Sequence, residues 1–492
     1  MIITLLLYAL LCILALVFIK QDKNKLLEKI TWVLSAVGMY LIYVLIDRFD
    51  ETLGIFQMQI SIPWIATSGI NLSFAIDGYS LWIIILTILI TTLCSLLTNI
   101  WTTKSIKTQL LIIYILQLLL ILCFSALDAM MFLFACESML LPIYVAITLS
   151  GEDERQLASS VFLIYMLSSA ILMTIPFVIL GNHIHSFAWQ DWVNAPISLE
   201  LQYYYFITVF LGTCIKLPLF PFHSWLPLVY TQAPVPIMII ILSLFLNVAS
   251  FTLLRWVLPI VPDAASYFAN IIVAWSLCSL ILAAFIALAQ RDLKRLLSYL
   301  ASNSVSWIML GLFAGYLSPI SQKSLLLLDG AIMQMISHAL ISAGLCMVFG
   351  MLYFRTNKRD RHLYSGLSNS MPYLSSGFMI LSLANIATPG SSAFISQWMI
   401  LLGITEVQPL YNIIISLAII TVTAATLSMY LSIFSGPIKG HKWNDINSLE
   451  IFVLILLITI IFAIGLFPRM ITNSIHNTSF LMKPYIFCSK IR

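Results

Sequence analysis

Phe210-Leu211-Gly212-Thr213-Cys214-Ile215-Lys216-Leu217-Pro218-Leu219-Phe220-Pro221-Phe222-His223 sets one lysine deep in an apolar run and follows it with two prolines. The run reaches back to about residue 203, so Lys216 is too far from either helix end to snorkel comfortably. Pro218 and Pro221 lack a backbone donor, and a helix does not pass through them unbroken. Irregular backbone at membrane depth is tolerated only inside protein or along a wet cavity. The carbonyls freed by the prolines are therefore expected to line such a cavity. The stretch reads as an interrupted membrane helix built beside a buried charge.

The rest of the chain fits that reading. Of 492 residues, 61% are hydrophobic and 9% charged, whereas a soluble domain carries about 25% charged residues. Apolar runs of about 20 residues, the length that spans a bilayer, recur from end to end. They place helices near 2–20, 29–46, 79–99, 109–125, 128–149, 157–180, 203–228, 233–258, 268–290, 294–316, 328–354, 371–404, 410–435 and 449–467. The expected fold is all-α: a polytopic membrane protein of about fourteen helices, the seventh broken at Pro218 and Pro221 and the twelfth at Pro389-Gly390. Met1 to Ile19 lacks a basic leading region and reads as an uncleaved first helix.

Charge gives the orientation. Loops after odd-numbered helices hold Lys20, Lys23, Lys25, Lys29, Lys104, Lys107, Arg155, Arg291, Lys294, Arg295, Arg355, Lys358, Arg359, Arg361, Lys439 and Lys442. Even-numbered loops hold chiefly Arg48 and Lys323. The odd loops thus face the cytoplasm or matrix and both termini the other side. The net charge of +4 follows from these loops and implies no nucleic-acid partner. Cys94, Cys136, Cys214, Cys346 and the other cysteines stand singly, with no metal-ligand spacing. The sequence has no phosphate-binding or dinucleotide glycine motif either. Any redox chemistry would come from a partner.

Charges inside spanning helices default to functional hypotheses. Glu137 lies near the middle of the fifth helix, where a carboxylate must be paired or protonated. Desolvation and a nearby cation act on it in opposite senses, so it can exchange a proton near neutral pH. The plainer alternative is a structural hydrogen bond to a neighbouring helix. If Glu137 and Lys216 meet, their titrations belong to the pair; otherwise Lys216 is a lysine held by carbonyls for packing. His338 in the eleventh helix is a third candidate, as a proton relay or a satisfied structural histidine. His223, beside the break, could serve either purpose. Arg291-Asp292-Leu293-Lys294-Arg295 reads as a solvated loop that sets orientation.

Lys216-Leu217-Pro218-Leu219-Phe220-Pro221-Phe222-His223-Ser224-Trp225-Leu226-Pro227, with Thr231-Gln232-Ala233-Pro234 after it, resembles the helix 7–8 signature of the antiporter-like subunits of respiratory complex I. Asp292-Leu293-Lys294-Arg295, Gln334-Met335-Ile336-Ser337-His338 and Pro389-Gly390 before Phe394 fit the same family. The spacing points to the subunit M type, the counterpart of mitochondrial NADH dehydrogenase subunit four. The resemblance implies two inverted five-helix repeats, residues 109–258 and 268–435, between an N-terminal part, 1–108, and a last helix and tail, 449–492. It implies proton transfer through Glu137 and Lys216. It also implies a bacterial or mitochondrial inner membrane, and partner membrane subunits, with NADH, flavin, iron–sulfur clusters and quinone held by partners and no cofactor or metal in this chain.

Counting from the motifs shows three departures. The lysine usual in the eighth helix is Asn247, with Ala249, Leu253, Leu254 and Arg255 in place around it. The charged group usual in the twelfth is Gln397, and the histidine frequent in the tenth is Ser304. Amides and hydroxyls order water but do not exchange protons in the accessible pH range. Transfer beyond Lys216 is thus expected to be impaired or rerouted, with His338 the nearest bridge. The substitutions keep open a paralogous role in a multisubunit cation/proton antiporter or an inorganic-carbon uptake system. A non-conducting scaffold is the third reading, disfavoured by the two retained charges.

Overall fold

Long apolar segments in a lipid solvent must satisfy their backbone within themselves, and here they do so as helices. The computed structural model describes residues 1–19, 24–65, 69–101, 106–318, 323–437 and 443–490; Lys20, Lys23, Lys104, Lys439 and Lys442 lie outside them. In chain order the elements are α1 (Ile2–Val17), α2 (Asn24–Arg48), strands β1 (Gln57–Ile65) and β2 (Ile70–Ile76), α3 (Gly78–Trp101), α4 (Ile106–Ser125), α5 (Ala129–Ser138), α6 (Leu140–Ser150) and α7 (Arg155–Ile184). There follow α8 (Trp189–Asn194), α9 (Leu199–Lys216), α10 (Trp225–Gln232), α11 (Val235–Ile240), α12 (Leu246–Thr252), α13 (Pro262–Ala289), α14 (Leu293–Ala314) and α15 (Lys323–Thr356). Last come α16 (Pro372–Asn385), α17 (Ser392–Val407), α18 (Tyr411–Phe434), α19 (Ser448–Leu466) and α20 (Arg469–Phe487). Among the described residues 11 helices are long and apolar enough to span. With the shorter α1 and the two interrupted helices, this is compatible with the fourteen expected.

Burial sorts these helices into centre and rim. The span Val235–Val257 is wholly buried and so is the most apolar stretch of Lys323–Thr356, whereas the corresponding stretches of Arg155–Ile184 and Tyr411–Phe434 are 33% and 39% buried. α15, carrying Asp329, Gln334, Ser337 and His338, is therefore the polar spine of the interior.

Proline positions explain the interruptions. α9 ends at Lys216, two residues before Pro218, and the chain resumes as a helix at Trp225. α16 and α17 are separated across Pro389-Gly390, with Ala387 and Gly390 at positive φ. α19 comes so near this break that a Cβ at Gly465 would collide with the Gly390 carbonyl oxygen. A third interruption, absent from the sequence reading, divides the fifth span at Met139. Pro142 explains it: the proline has no N–H for the carbonyl of Ser138, four residues back.

Loop contacts segregate by parity, as an alternating topology requires. On one side Lys107 donates to the carbonyls of Val17 and Ile19 at 2.9 and 2.6 Å. There also Lys294, Arg359 and Glu152 join the loops after the ninth, eleventh and fifth spans. On the other side Asp128 caps α5, accepts from the Asn71 amide at 3.0 Å and bridges to Ala188. Asn477 of α20 donates to the Glu51 carbonyl on that same side. That side also carries the β1–β2 hairpin, antiparallel with Ser61 opposite Ser73. The hairpin and the amphipathic α20 supplement the expected bundle.

Candidate functional site

The helix ending at Lys216 and the helix kinked just after Glu137 bring the two charges together. Lys216 Nζ donates to Glu137 Oε1 at 2.7 Å and to Cys136 Sγ at 3.1 Å. Lys216 is 1% exposed and the Glu137 side chain 21%. Its second oxygen, Oε2, is buried without a protein partner. Buried polar atoms of this kind are where ordered water binds. Two acid–base groups thus share a contact at the ends of broken helices. Cys136 is a partner that sequence reasoning missed, because a lone cysteine in an apolar helix carries no signal of its own.

Two of the carbonyls beside the break take side-chain donors. Trp225 Nε1 donates to the Ile215 carbonyl at 2.8 Å, and Trp275 Nε1 donates to the Phe220 carbonyl. Indole donors stand in for the missing backbone bonds, as an apolar solvent demands. A narrow cavity does adjoin Pro218, lined by His223, Ser279, Tyr299, Ser302 and Ser306. His223 Nδ1 is buried without a partner. Ser304, half-buried on α14, is not among the lining residues, whereas Ser302 and Ser306 are.

His338 is buried between α15 and the eighth span. Its Nε2 lies 2.9 Å from the Leu242 carbonyl and its Nδ1 3.1 Å from Ser342 Oγ. A carbonyl only accepts, so Nε2 carries a proton. The serine hydroxyl can donate to Nδ1 or accept from it, so the ring can change charge without losing either bond. Neither partner belongs to the Glu137–Lys216 pair. Leu242 lies in one of two π-helical segments, Ile241–Phe245 and Leu253–Val257, that flank α12. Such wide turns cluster at functional sites. Asn247, between them, donates to the Ser243 and Met335 carbonyls at 3.0 and 3.1 Å, with Oδ1 unpartnered.

Gln397 does not sit on the inner face of α17. It is half-buried, and its neighbour Ser396 makes the interior contact, donating to Gln334 Oε1 at 2.5 Å. Ser392 meets Ser337 at 2.6 Å in the same seam. Pro389 lies exposed at the break.

Three further buried ion pairs went unseen in sequence. Arg255 Nη2 meets Asp77 Oδ2 at 2.6 Å among Phe56, Trp189 and Phe251. Asp77 could have been found as an acid at the start of a span. Arg355 meets Glu450 at 2.5 Å, and Trp101 donates to the same carboxylate. Lys294 corrects the solvated-loop reading. It is 1% exposed and donates to Glu152 at 2.7 Å and to the Thr231 and Ala233 carbonyls. The C-terminal carbonyls of α10 attract a cation, which draws this lysine inward. The described residues contain no cluster of three or more metal-ligating side chains.

Interrupted helices carrying a buried carboxylate–ammonium contact define an antiporter-like class of multi-pass membrane subunit. Residues 126–428, more than half of the chain, match the family described as NADH:quinone oxidoreductase/Mrp antiporter, TM, and the chain belongs to it. It is 31% identical over 473 residues to NADH-quinone oxidoreductase subunit M of Rickettsia typhi, covering 94% of each chain. To NADH-ubiquinone oxidoreductase chain 4 of Marchantia polymorpha it is 28% identical, covering 94% of this chain and 92% of that one. Its fold is similar to a chain of respiratory complex I from Thermus thermophilus, with TM-score 0.87 at 22% identity over 99% of this chain and all of that one. A chain of the Mrp complex from Dietzia sp. DQ12-45-1b shares the fold at TM-score 0.81 and 14% identity, covering 98% and 97% of the two chains.

Proposed function

We propose that this chain is subunit M of an NADH:quinone oxidoreductase and moves protons across a bacterial or mitochondrial inner membrane. NADH, flavin, iron–sulfur clusters and quinone belong to partner subunits. The observation that carries this reading is the 2.7 Å contact of Lys216 with Glu137 inside the bundle. While the carboxylate faces the ammonium, the buried charges compensate each other. Drawing Glu137 away leaves a desolvated ammonium without a counter-charge, and it yields its proton to the adjoining path. The two five-helix units, 109–258 and 268–435, each contribute one broken helix to that path, the arrangement expected of an inverted repeat. His338, satisfied in either protonation state, bridges the first unit and the second where Asn247 cannot. Glu137→Gln or Lys216→Ala is expected to lower proton pumping by the assembled enzyme at a given rate of NADH oxidation. Full coupling in both variants contradicts the reading.

The alternative is a paralogous subunit of a cation/proton antiporter or inorganic-carbon uptake complex. The replaced group at Asn247 favours it. Co-purification in mild detergent separates the two: redox subunits support the first, antiporter subunits or a soluble zinc protein the second.

A further inference from the structure

α20 closes over the start of α15 on the side opposite the basic loops, and between them lies a half-open cavity of about 880 Å³. Asp329 of α15 is the buried acid in its wall, 5% exposed, with Oδ2 at 2.7 Å from Nδ1 of the half-exposed His476. Its other oxygen, Oδ1, is buried without a protein partner. This is the one histidine–carboxylate ion pair among the described residues. Asp329 shares α15 with Gln334 and His338, and Gln334 begins about 7.5 Å further along the axis at about 1.5 Å per residue.

Other bonds besides this pair also hold α20 in place. The Gly78 amide donates to Thr478 at 3.1 Å, Trp82 Nε1 to Ser474 at 2.8 Å, and Tyr79 to Ser479 at 3.0 Å. Gly78 has no Cβ, and one there would collide with the Ser474 carbonyl, so α3 and α20 touch backbone to backbone. An ionisable residue in a spanning segment is costly and by default functional. The other charged groups at the cavity are Glu51, Arg469 and Lys483, and α17 presents only Ile395 and Met399 to it.

We propose that Asp329 and His476 form the outer proton-exchange site of this chain, passing protons from the polar interior of α15 to the water of the cavity. This rests on the conducting role proposed above. A proton from the interior protonates the carboxylate. The carboxyl O–H then breaks as its proton passes to the free ring nitrogen, leaving carboxylate and imidazolium. The imidazolium sheds its other N–H proton to cavity water. The half-exposed ring turns over and presents an acceptor nitrogen again.

The test compares proton translocation per NADH oxidised in sealed vesicles carrying the assembled complex. Asp329→Asn is expected to fall to the level of Lys216→Ala, and Asp329→Glu to restore most of the parental ratio. His476→Gln, at a half-exposed position, is expected to lower translocation and flatten its dependence on pH in the outer compartment. Parental ratios in both Asp329→Asn and His476→Gln overturn the proposal. Should Asp329→Asn not assemble, His476→Gln decides alone. Loss in Lys216→Ala with retention at Asp329 and His476 rejects this exchange site only. Retention in all three rejects the conducting role itself.

Discussion

Lys216 has two partners, and they do different work. Glu137 supplies the counter-charge, while Cys136 fixes the ammonium from the adjacent position on α5. A hydrogen bond to a charged group contributes about 1.5–3 kcal/mol. Cys136→Ala is expected to destabilise the chain by that order, read as a lower unfolding temperature of the detergent-solubilised complex, and Cys136→Ser to restore most of it. Asn247 already donates to two carbonyls, so Asn247→Lys preserves donors while adding a titratable group. That variant is expected to raise proton flux in reconstituted vesicles; unchanged flux removes the idea that Asn247 limits transfer. At this scale the sequence revealed Glu137 and Lys216 because a charge amid apolar residues is itself the anomaly. It hid Gln397, because counting from Pro389-Gly390 gives a position along the chain but not a rotation. One residue is about 100° around a helix, and the inner face belongs to Ser396.

Broken helices are the elements that place the site. Pro218, Pro221 and Pro389 could be read in advance because proline removes a donor wherever it falls. The same rule applied to Pro142 would have found the kink beside Glu137. The π-helical turns around Asn247 could not be read that way, since no residue type encodes them. Their carbonyls are used by groups distant in sequence: Leu242 by His338 and Arg255 by Trp189. The Asp77–Arg255 pair ties the start of α3 to the middle of the second of these turns. Removing one partner of a buried pair costs about 3–5 kcal/mol. Asp77→Ala is therefore expected to reduce the yield of assembled complex sharply, measured by native gel, whereas a normal yield would show that the pair is dispensable. Gly465→Val is expected to disturb the α16–α17 break in the same assay, because α19 could no longer approach Gly390.

Among the described residues, the loop contacts of Lys107, Lys294 and Arg359 lie on one side and those of Asp128 and Asn477 on the other, with α20 fixed across the ends of α3 and α15. Alternating basic loops made the grouping of loops by parity legible in the sequence. The hairpin and α20 were not, since both lie outside the apolar spans on which that reading depends. The hydrogen bond that its ring donates to the Asp329 carboxylate holds His476 above the usual histidine range. The stabilisation this gives the docked α20 is fully present below about pH 6.5 and is lost as pH rises through the raised value. Hydrogen exchange of α20 is expected to quicken across that window, and Asp329→Asn to abolish the pH dependence.

The most direct measurement is the proton-to-electron ratio of the assembled complex in sealed vesicles, with Lys216→Ala set against the parental chain. A lower ratio with NADH oxidation still running is the expected result. An unchanged ratio would mean that the buried ammonium beside Glu137 carries no protons.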